Sequence, residues 1–257
     1  MGISAVIITR NEGHIIGKTL QSVRGVADEI IIVDSGSTDD TLDICRQHGA
    51  RIIETGWDGY GPNKNKGIDA AKNDWILNLD ADEVIDEALR TALLVLQPAD
   101  SAAVFEMRFK NFFLEKWIRH GEWGNDKHIR LFNRERVRWN DQAVHEGLGL
   151  PDGATIILLK GWILHYTVHS AAEYEEKTLQ YAKLNAQKYF EQKKRGTVIK
   201  QYLAPVFSFL KNYFFKLGFL DGKEGLLIAR TTARYTYLKY TYLNQMIRQQ
   251  DTRSKTN

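Results

Sequence analysis

The chain has 257 residues, 43% hydrophobic and 26% charged, a globular composition that suits one large domain or a main domain with an appendage. Its single cysteine, Cys45, excludes an internal disulfide and a cysteine-rich zinc site, and no apolar run approaches the roughly 18 residues needed to span a bilayer. The formal charge of +3 conceals a division: residues 1–170 carry 19 Lys+Arg against 25 Asp+Glu, whereas residues 171–257 carry 16 against 7, with 15 of the 28 aromatic residues.

In chain order, Ile3–Thr9 reads as a core strand and not as an export signal, so a cytoplasmic protein is expected. Ile15, Ile16, Thr19, Leu20 and Val23 recur at helical spacing. EIIIVD (29–34) is a second strand, followed by SGSTDD (35–40), which is rich in helix-capping residues and takes Asp39 and Asp40 as caps. RIIET (51–55) with NKNKGIDAAK (63–72), then WILNLD (75–80) with IDEALRTALLVLQ (85–97), repeat the strand–helix pair. Alternating units with nearly continuous apolar strands predict an α/β fold. Its mainly parallel sheet has flanking helices, and ligands gather beyond the strands' carboxyl ends.

From about residue 100 to 168 the pattern is mixed: AAVFEMRFK, HIRLFN, RVRW, ATIILL and WILHY read as short strands, partly antiparallel, separated by polar and aromatic loops. A long helix is expected over 170–195, capped by Ser170 with Glu173 three residues on and stopped by Gly196. Two further helices are expected over about 198–217 and 222–247, before a frayed end. The expected domains are therefore 1–169, divided into 1–98 and 99–169, and a basic, aromatic-rich helical region, 170–257.

Neither G-x-G-x-x-G nor G-x-x-x-x-G-K-[ST] occurs, which removes most of the weight from dehydrogenase and P-loop readings. Polar residues instead mark successive strand ends: Thr9, Asn11 and Glu12; Asp34; Lys64 and Asn65; Asp80 and Asp82. Carboxylates repel one another and are costly to desolvate alone, so a cluster at the end of an apolar strand implies a cation. Hard oxygen ligands beside a diphosphate suit Mg²⁺ or Mn²⁺, and carboxylates and amides suit a nucleotide's base and ribose.

SAVIITRNE, DEIIIVDSGSTDDT, KNKG and WILNLDADE, in that order over residues 4–83, resemble the nucleotide-sugar half of glycosyltransferase family 2, inverting enzymes of the A-type (GT-A) fold. The resemblance implies that Asp34 contacts the base or ribose, that Asp80 lies near the ribose, and that Asp82 ligates a divalent metal on the diphosphate. Many relatives have Arg-Asn-x-Gly where this chain has Lys64-Asn65-Lys66-Gly67, and lysine does not reproduce a planar guanidinium fork. FFLEKWIRHGEWGNDKHIRLFNRERVRWNDQAVHEGL and KNYFFKLGFLDGKEGLLIA are similar to the acceptor-side and carboxyl-terminal parts of bacterial enzymes that build lipopolysaccharide core and related surface glycans. In that subgroup Asp126 occupies the position expected of the catalytic base.

Each assignment has a plain structural alternative. Asp80 and Asp82 would also suit a helix entry, Asp34 a turn cap, Asp126 a turn in G-N-D, and His145 with Glu146 a hydrogen-bonded pair instead of an acceptor contact. Glu83 reads as a solvated or supporting acid as readily as a ligand, and His165 and His169 as core or surface histidines in preference to metal ligands. Arg119, Lys127 and Arg130 are candidate contacts to phosphate or an anionic acceptor, against the ordinary reading of charged residues facing water.

The expected function is sugar transfer from a nucleoside diphosphate donor, UDP-linked, to a glycan or glycolipid hydroxyl, with Asp126 as base and a metal on Asp82. The alternatives are a metal-dependent nucleotidyl or phosphoryl transferase and a non-enzymatic adaptor. The basic, aromatic carboxyl-terminal helices suit an anionic membrane surface or a packing role, and no nucleic-acid partner is expected.

Overall fold

The computed structural model describes residues 1–140 and 147–256. His145 and Glu146 lie outside the described residues. Two compact units are present: residues 1–110 with 126–165, and residues 111–125 with 166–257. The change in charge balance near residue 170 falls within the second of these units.

The first unit opens with three strand–helix pairs, β1 (Ile3–Thr9), α1 (Ile16–Val23), β2 (Glu29–Asp34), α2 (Thr41–Gln47), β3 (Arg51–Glu54) and α3 (Tyr60–Ala70). The fourth strand, β4 (Trp75–Asp80), is followed by the short β5 (Glu83–Ile85) and by α4 (Glu87–Leu94). The chain continues through β6 (Val104–Phe113), β7 (Lys116–Trp117), β8 (Asp126–Asn133), β9 (Arg138–Trp139), β10 (Leu148–Gly149) and β11 (Ile156–Val168). Among the described residues, the main sheet runs β3-β2-β1-β4-β8-β6-β11-β5, and β9 pairs with β10. The strands from β3 to β4 are parallel, while β8 is antiparallel to both β4 and β6, and β5 is antiparallel to β11.

This order follows from hydrophobicity. All seven residues of β1 are buried, as a strand covered on both faces requires. Because β1 lies between β2 and β4, the sheet reverses its strand order beside it, and a crevice forms beyond the carboxyl ends. The register pairs Thr9 with Asp34 and Ile8 with Asp80, so the three polar strand ends are neighbours. Gly67 in α3 lets that helix lie against β1 and β2: a Cβ there would sit 2.4 Å from Val6 Cγ1 and 2.9 Å from Val33 Cγ2.

ATIILL and WILHY, expected as separate strands, form the single strand β11 because Gly161 sits between them at φ +108. A Cβ at this position would stand 2.2 Å from the Leu89 backbone nitrogen, at the start of α4. The Asp86 carboxylate ties the same junction, accepting from Leu89 N at 2.8 Å and Trp162 N at 3.1 Å. Gly161→Ala is expected to lower unfolding free energy by about 2 kcal/mol or more, through backbone strain and the clash. A urea midpoint unchanged from wild type would show that the junction relaxes freely.

The second unit contains α5 (Ala171–Glu191), α6 (Val198–Leu210) and α7 (Gly222–Thr256). Ser170 caps α5 as expected, accepting from Glu173 N at 3.1 Å. The helix stops before Gly196, because Lys193 itself turns left-handed at φ +52, with Lys193 N donating to Phe190 O and Lys194 N to Tyr189 O. The helix expected over 198–217 ends earlier too, passing into one π-helical turn at Lys211–Phe215 and a left-handed Leu217. Phe113, Ile118, Val168 and Ile228 form this unit's small core, with Trp123 and Tyr174 packed against it. The buried Asp221 carboxylate accepts from Arg119 N at 3.2 Å and His120 N at 2.8 Å, fixing the 119–120 segment.

Candidate active site

The first two strand ends are joined by their own loops. Asn11, at φ +55, accepts at Oδ1 from Thr38 N at 2.7 Å and donates its own N–H to Ser37 Oγ at 2.8 Å. The Glu12 N–H donates to Thr41 Oγ1 at 2.8 Å. Asp34 is buried, and its Oδ2 accepts from Gly36 N and Ser37 N, both at 2.9 Å, which is the turn-capping alternative in physical form. Asn11, Glu12 and Asp34 thus build the rim of the crevice through contacts within the chain. Thr9 differs: its buried hydroxyl has no hydrogen-bond partner among the described residues.

The acids after β4 are held by cations that lie far away in sequence. Lys64, only 2% exposed, places Nζ 3.2 Å from Asp80 Oδ1 and 4.5 Å from the Trp139 ring centroid. Arg130, expected as an acceptor or supporting contact, is buried, not solvent-facing. Its Nε donates to Glu83 Oε2 at 2.8 Å, and its Nη2 donates to Glu83 Oε1 at 2.5 Å and reaches Asp80 Oδ2 at 3.4 Å. Burial alone would raise the pKa of Asp80, but the adjacent Lys64 and Arg130 charges hold it well below the usual carboxylate range. Glu83 is fully buried in a two-point pair with arginine, and is therefore a supporting acid. Glu83→Gln should destabilise the protein by about 3–5 kcal/mol, because it leaves a buried guanidinium short of counter-charge. A loss below about 1 kcal/mol in urea unfolding would mark the pair as dispensable.

Asp82 has a different partner. His165 Nε2 lies 3.4 Å from Asp82 Oδ2, and both side chains keep some exposure, 25% and 17%. β11 brings the histidine there by pairing antiparallel with β5, His165 opposite Glu83. Burial works to lower the His165 pKa, yet Asp82, Glu83 and Asp80 together push it up to about 9. The reading of His165 as an ordinary core or surface histidine thus gives way to a member of the acid cluster. The link between Asp80 and Asp82 is fixed as well, since the buried Thr19 hydroxyl of α1 donates to Ala81 O at 2.7 Å. A threonine on an apolar helix face carries no sequence signal of that contact.

Asn65, expected at the donor, is bound elsewhere. Its amide donates to Trp139 O at 2.9 Å and accepts from Trp139 N at 3.2 Å, so both of its functions hold β9 against α3. Lys127 is likewise paired, donating to Glu106 Oε2 at 2.7 Å. Arg119 and His169 belong to the second unit, where the Arg119 guanidinium lies 4.3 Å from the Trp117 ring centroid.

Asp126 is the first residue of β8 and not part of a free turn. Asp126 and His128 pair opposite Phe109 and Met107 on one face of β8, and a shift of register beside Phe105 and Glu106 leaves Arg130 as the extra residue between Ile129 and Leu131. The Phe109 ring, on the neighbouring β6, joins that face together: it meets His128 edge-on at 5.0 Å and His165 at 5.9 Å, with the Arg130 guanidinium 5.2 Å from its centroid. Asp126 Oδ1 lies 3.0 Å from His128 Nε2, and its side chain remains one-third exposed. The sheet face therefore carries a partly open carboxylate–imidazole pair toward one end and the acid cluster toward the other. Cys45 is no competitor as a nucleophile, because burial pushes its thiol up to about 11.

The chain is similar to several known proteins. The family profile described as "Glycosyl transferase family 2" matches residues 4–150. The lipopolysaccharide core biosynthesis glycosyltransferase LpsC of Rhizobium meliloti (strain 1021) is 30% identical over 92% of this chain and 89% of its own length. An uncharacterized glycosyltransferase of Rickettsia felis is 28% identical over 95% and 90%. Among solved structures, glucosyl-3-phosphoglycerate synthase from Mycobacterium tuberculosis, with Mn²⁺, UDP and glucosyl-3-phosphoglycerate, is 24% identical at a TM-score of 0.35. That match covers 43% of each chain, so this chain spans less than half of that enzyme's length. The parallel β3-β2-β1-β4 core with its mixed extension and flanking helices is GT-A-like. With its profile match and its likeness to LpsC over nearly the whole length, the chain belongs to glycosyl transferase family 2, and it is a glycosyltransferase.

Proposed function

We propose that this glycosyltransferase moves a sugar from a nucleoside diphosphate donor, UDP-linked, to a hydroxyl of a lipopolysaccharide-core or related surface-glycan acceptor, with inversion at the anomeric carbon. The donor half rests chiefly on the Asp82–His165 pair, which stands at the carboxyl end of the parallel strands while Asp80 and Glu83 are already neutralised. A carboxylate oxygen and an imidazole nitrogen, the latter once the cation displaces the proton that the surrounding acids favour on His165, suit Mn²⁺, and also Mg²⁺ when diphosphate oxygens and water complete its shell. The residues present therefore fit a divalent cation, held by Asp82 and His165. Such a cation supplies positive charge against the negative charge that grows on the departing diphosphate.

The remaining roles fall to the chain's own groups. Lys64 and Arg130 keep Asp80 ionised, and Arg130 holds Glu83 in place at two points. The Thr9 hydroxyl, buried and unpartnered among the described residues, offers a hydrogen bond to the donor's polar edge. Asp126 accepts the proton of the acceptor hydroxyl as that oxygen attacks, and His128 orients the carboxylate. The acceptor class is supported by the likeness to LpsC. The test is a panel of nucleotide sugars, UDP-linked donors first, assayed for nucleoside diphosphate release with and without Mn²⁺ and a lipopolysaccharide-core acceptor. Acceptor-dependent release from UDP donors supports the reading. Release that never depends on such an acceptor, or strict preference for another nucleotide, overturns the corresponding part.

A further inference from the structure

The segment from Gln192 to Leu220 contains Lys193, Lys194, Arg195, Lys200, Lys211 and Lys216 and no acidic residue. Within it, α6 leaves Val198, Ile199, Tyr202, Leu203, Val206 and Phe207 exposed, Ile199 at 69% and Phe207 at 63%. At about 100° per residue these six fall within half of the helix circumference. The other half faces α7, where Gln201 donates to Thr241 Oγ1 at 3.0 Å and accepts from Asn244 Nδ2 at 2.9 Å. The π-helical turn that follows adds Phe214 and Phe215, the latter 77% exposed. Folded chains do not ordinarily leave an apolar surface of this extent to water.

We propose that this face of α6, with the Phe214–Phe215 turn, inserts into the headgroup–acyl boundary of an anionic phospholipid bilayer. Charge selects that occupant. A symmetric contact with a second copy would bring two all-basic segments together, which is unfavourable, whereas anionic headgroups complement them. Lys200 and Lys211 are exposed at one edge of the apolar half, where long stems lie along apolar surface while ammonium groups reach headgroups. None of the described helices is long and apolar enough to cross a membrane, so α6 would lie along the interface and not span it.

The test is co-sedimentation of the full chain with vesicles of phosphatidylglycerol and phosphatidylcholine, or of phosphatidylcholine alone, over a salt series. Binding is expected to the mixed vesicles only, weakening as salt rises. K200Q and K211Q should each weaken it about fivefold, the equivalent of about 1 kcal/mol. The double variant L203S/F207S should weaken it by about a hundredfold, with the thermal unfolding midpoint unchanged because both side chains are exposed. Three outcomes overturn the proposal: equal, salt-insensitive binding to both vesicle types; no binding by a folded chain; and a concentration-dependent dimer in sedimentation velocity that L203S/F207S dissociates while vesicle binding is unaffected. The lysine variants keep the test decisive if L203S/F207S fails to fold.

Discussion

Asp82→Ala is expected to lower kcat/KM for sugar transfer by about a thousandfold or more, since it removes one of the two proposed protein ligands for an ion that would oppose charge on the leaving diphosphate. The fold should survive. Asp82 is not part of the Arg130–Glu83 pair, and its loss relieves like-charge repulsion with Asp80 and Glu83. His165 is not stranded either, because Glu83 and Asp80 still act on it. Calorimetric titration of donor should show Mn²⁺-enhanced binding in wild type and almost none in the variant, with His165→Ala behaving alike. Near-normal transfer by Asp82→Ala, or wild-type activity that persists in EDTA, would remove the metal from the mechanism. A variant that lost cooperative unfolding would instead show that Asp82 holds the loop.

The carboxylates of this site are legible in the sequence; their counter-charges are not. Asp80, Asp82 and Glu83 stand out because they end a buried strand, and parallel strand–helix alternation places such ends in one crevice. Nothing local in the chain says that Lys64 neutralises Asp80, or that Arg130 grips Glu83 at two points. Those contacts depend on α3 packing under the sheet and on β8 pairing antiparallel beside β4. His165 shows the same limit: alternation along β11 reveals which way a side chain points, but only the β5–β11 register puts it against Asp82. Asn65 shows the converse: nothing in the sequence signals that a polar residue in a ligand-like motif also binds backbone, here that of Trp139. In the fold, β1, β2 and β4 are evident as continuous apolar runs, whereas the union of two segments into β11 turns on Gly161 and the close approach of α4.

Asp126→Asn is expected to separate binding from chemistry. An amide has nearly the shape of the carboxylate but cannot take a proton at neutral pH, so kcat should fall by about 10²–10⁴ while donor affinity stays within a few-fold of wild type. The geometry favours such a split. Asp126 opens β8 with its carboxylate 3.0 Å from His128, and its side chain is open enough to meet an acceptor. His128→Gln retains a hydrogen-bonding partner for the carboxylate and should cost far less than the loss of Asp126, which distinguishes an orienting group from the base. Donor affinity measured by calorimetry and single-turnover transfer measured on the same preparation decide the matter. If affinity collapsed in step with rate, Asp126 would belong to the donor site; if both stayed near wild type, the acceptor proton would leave by another group on this face.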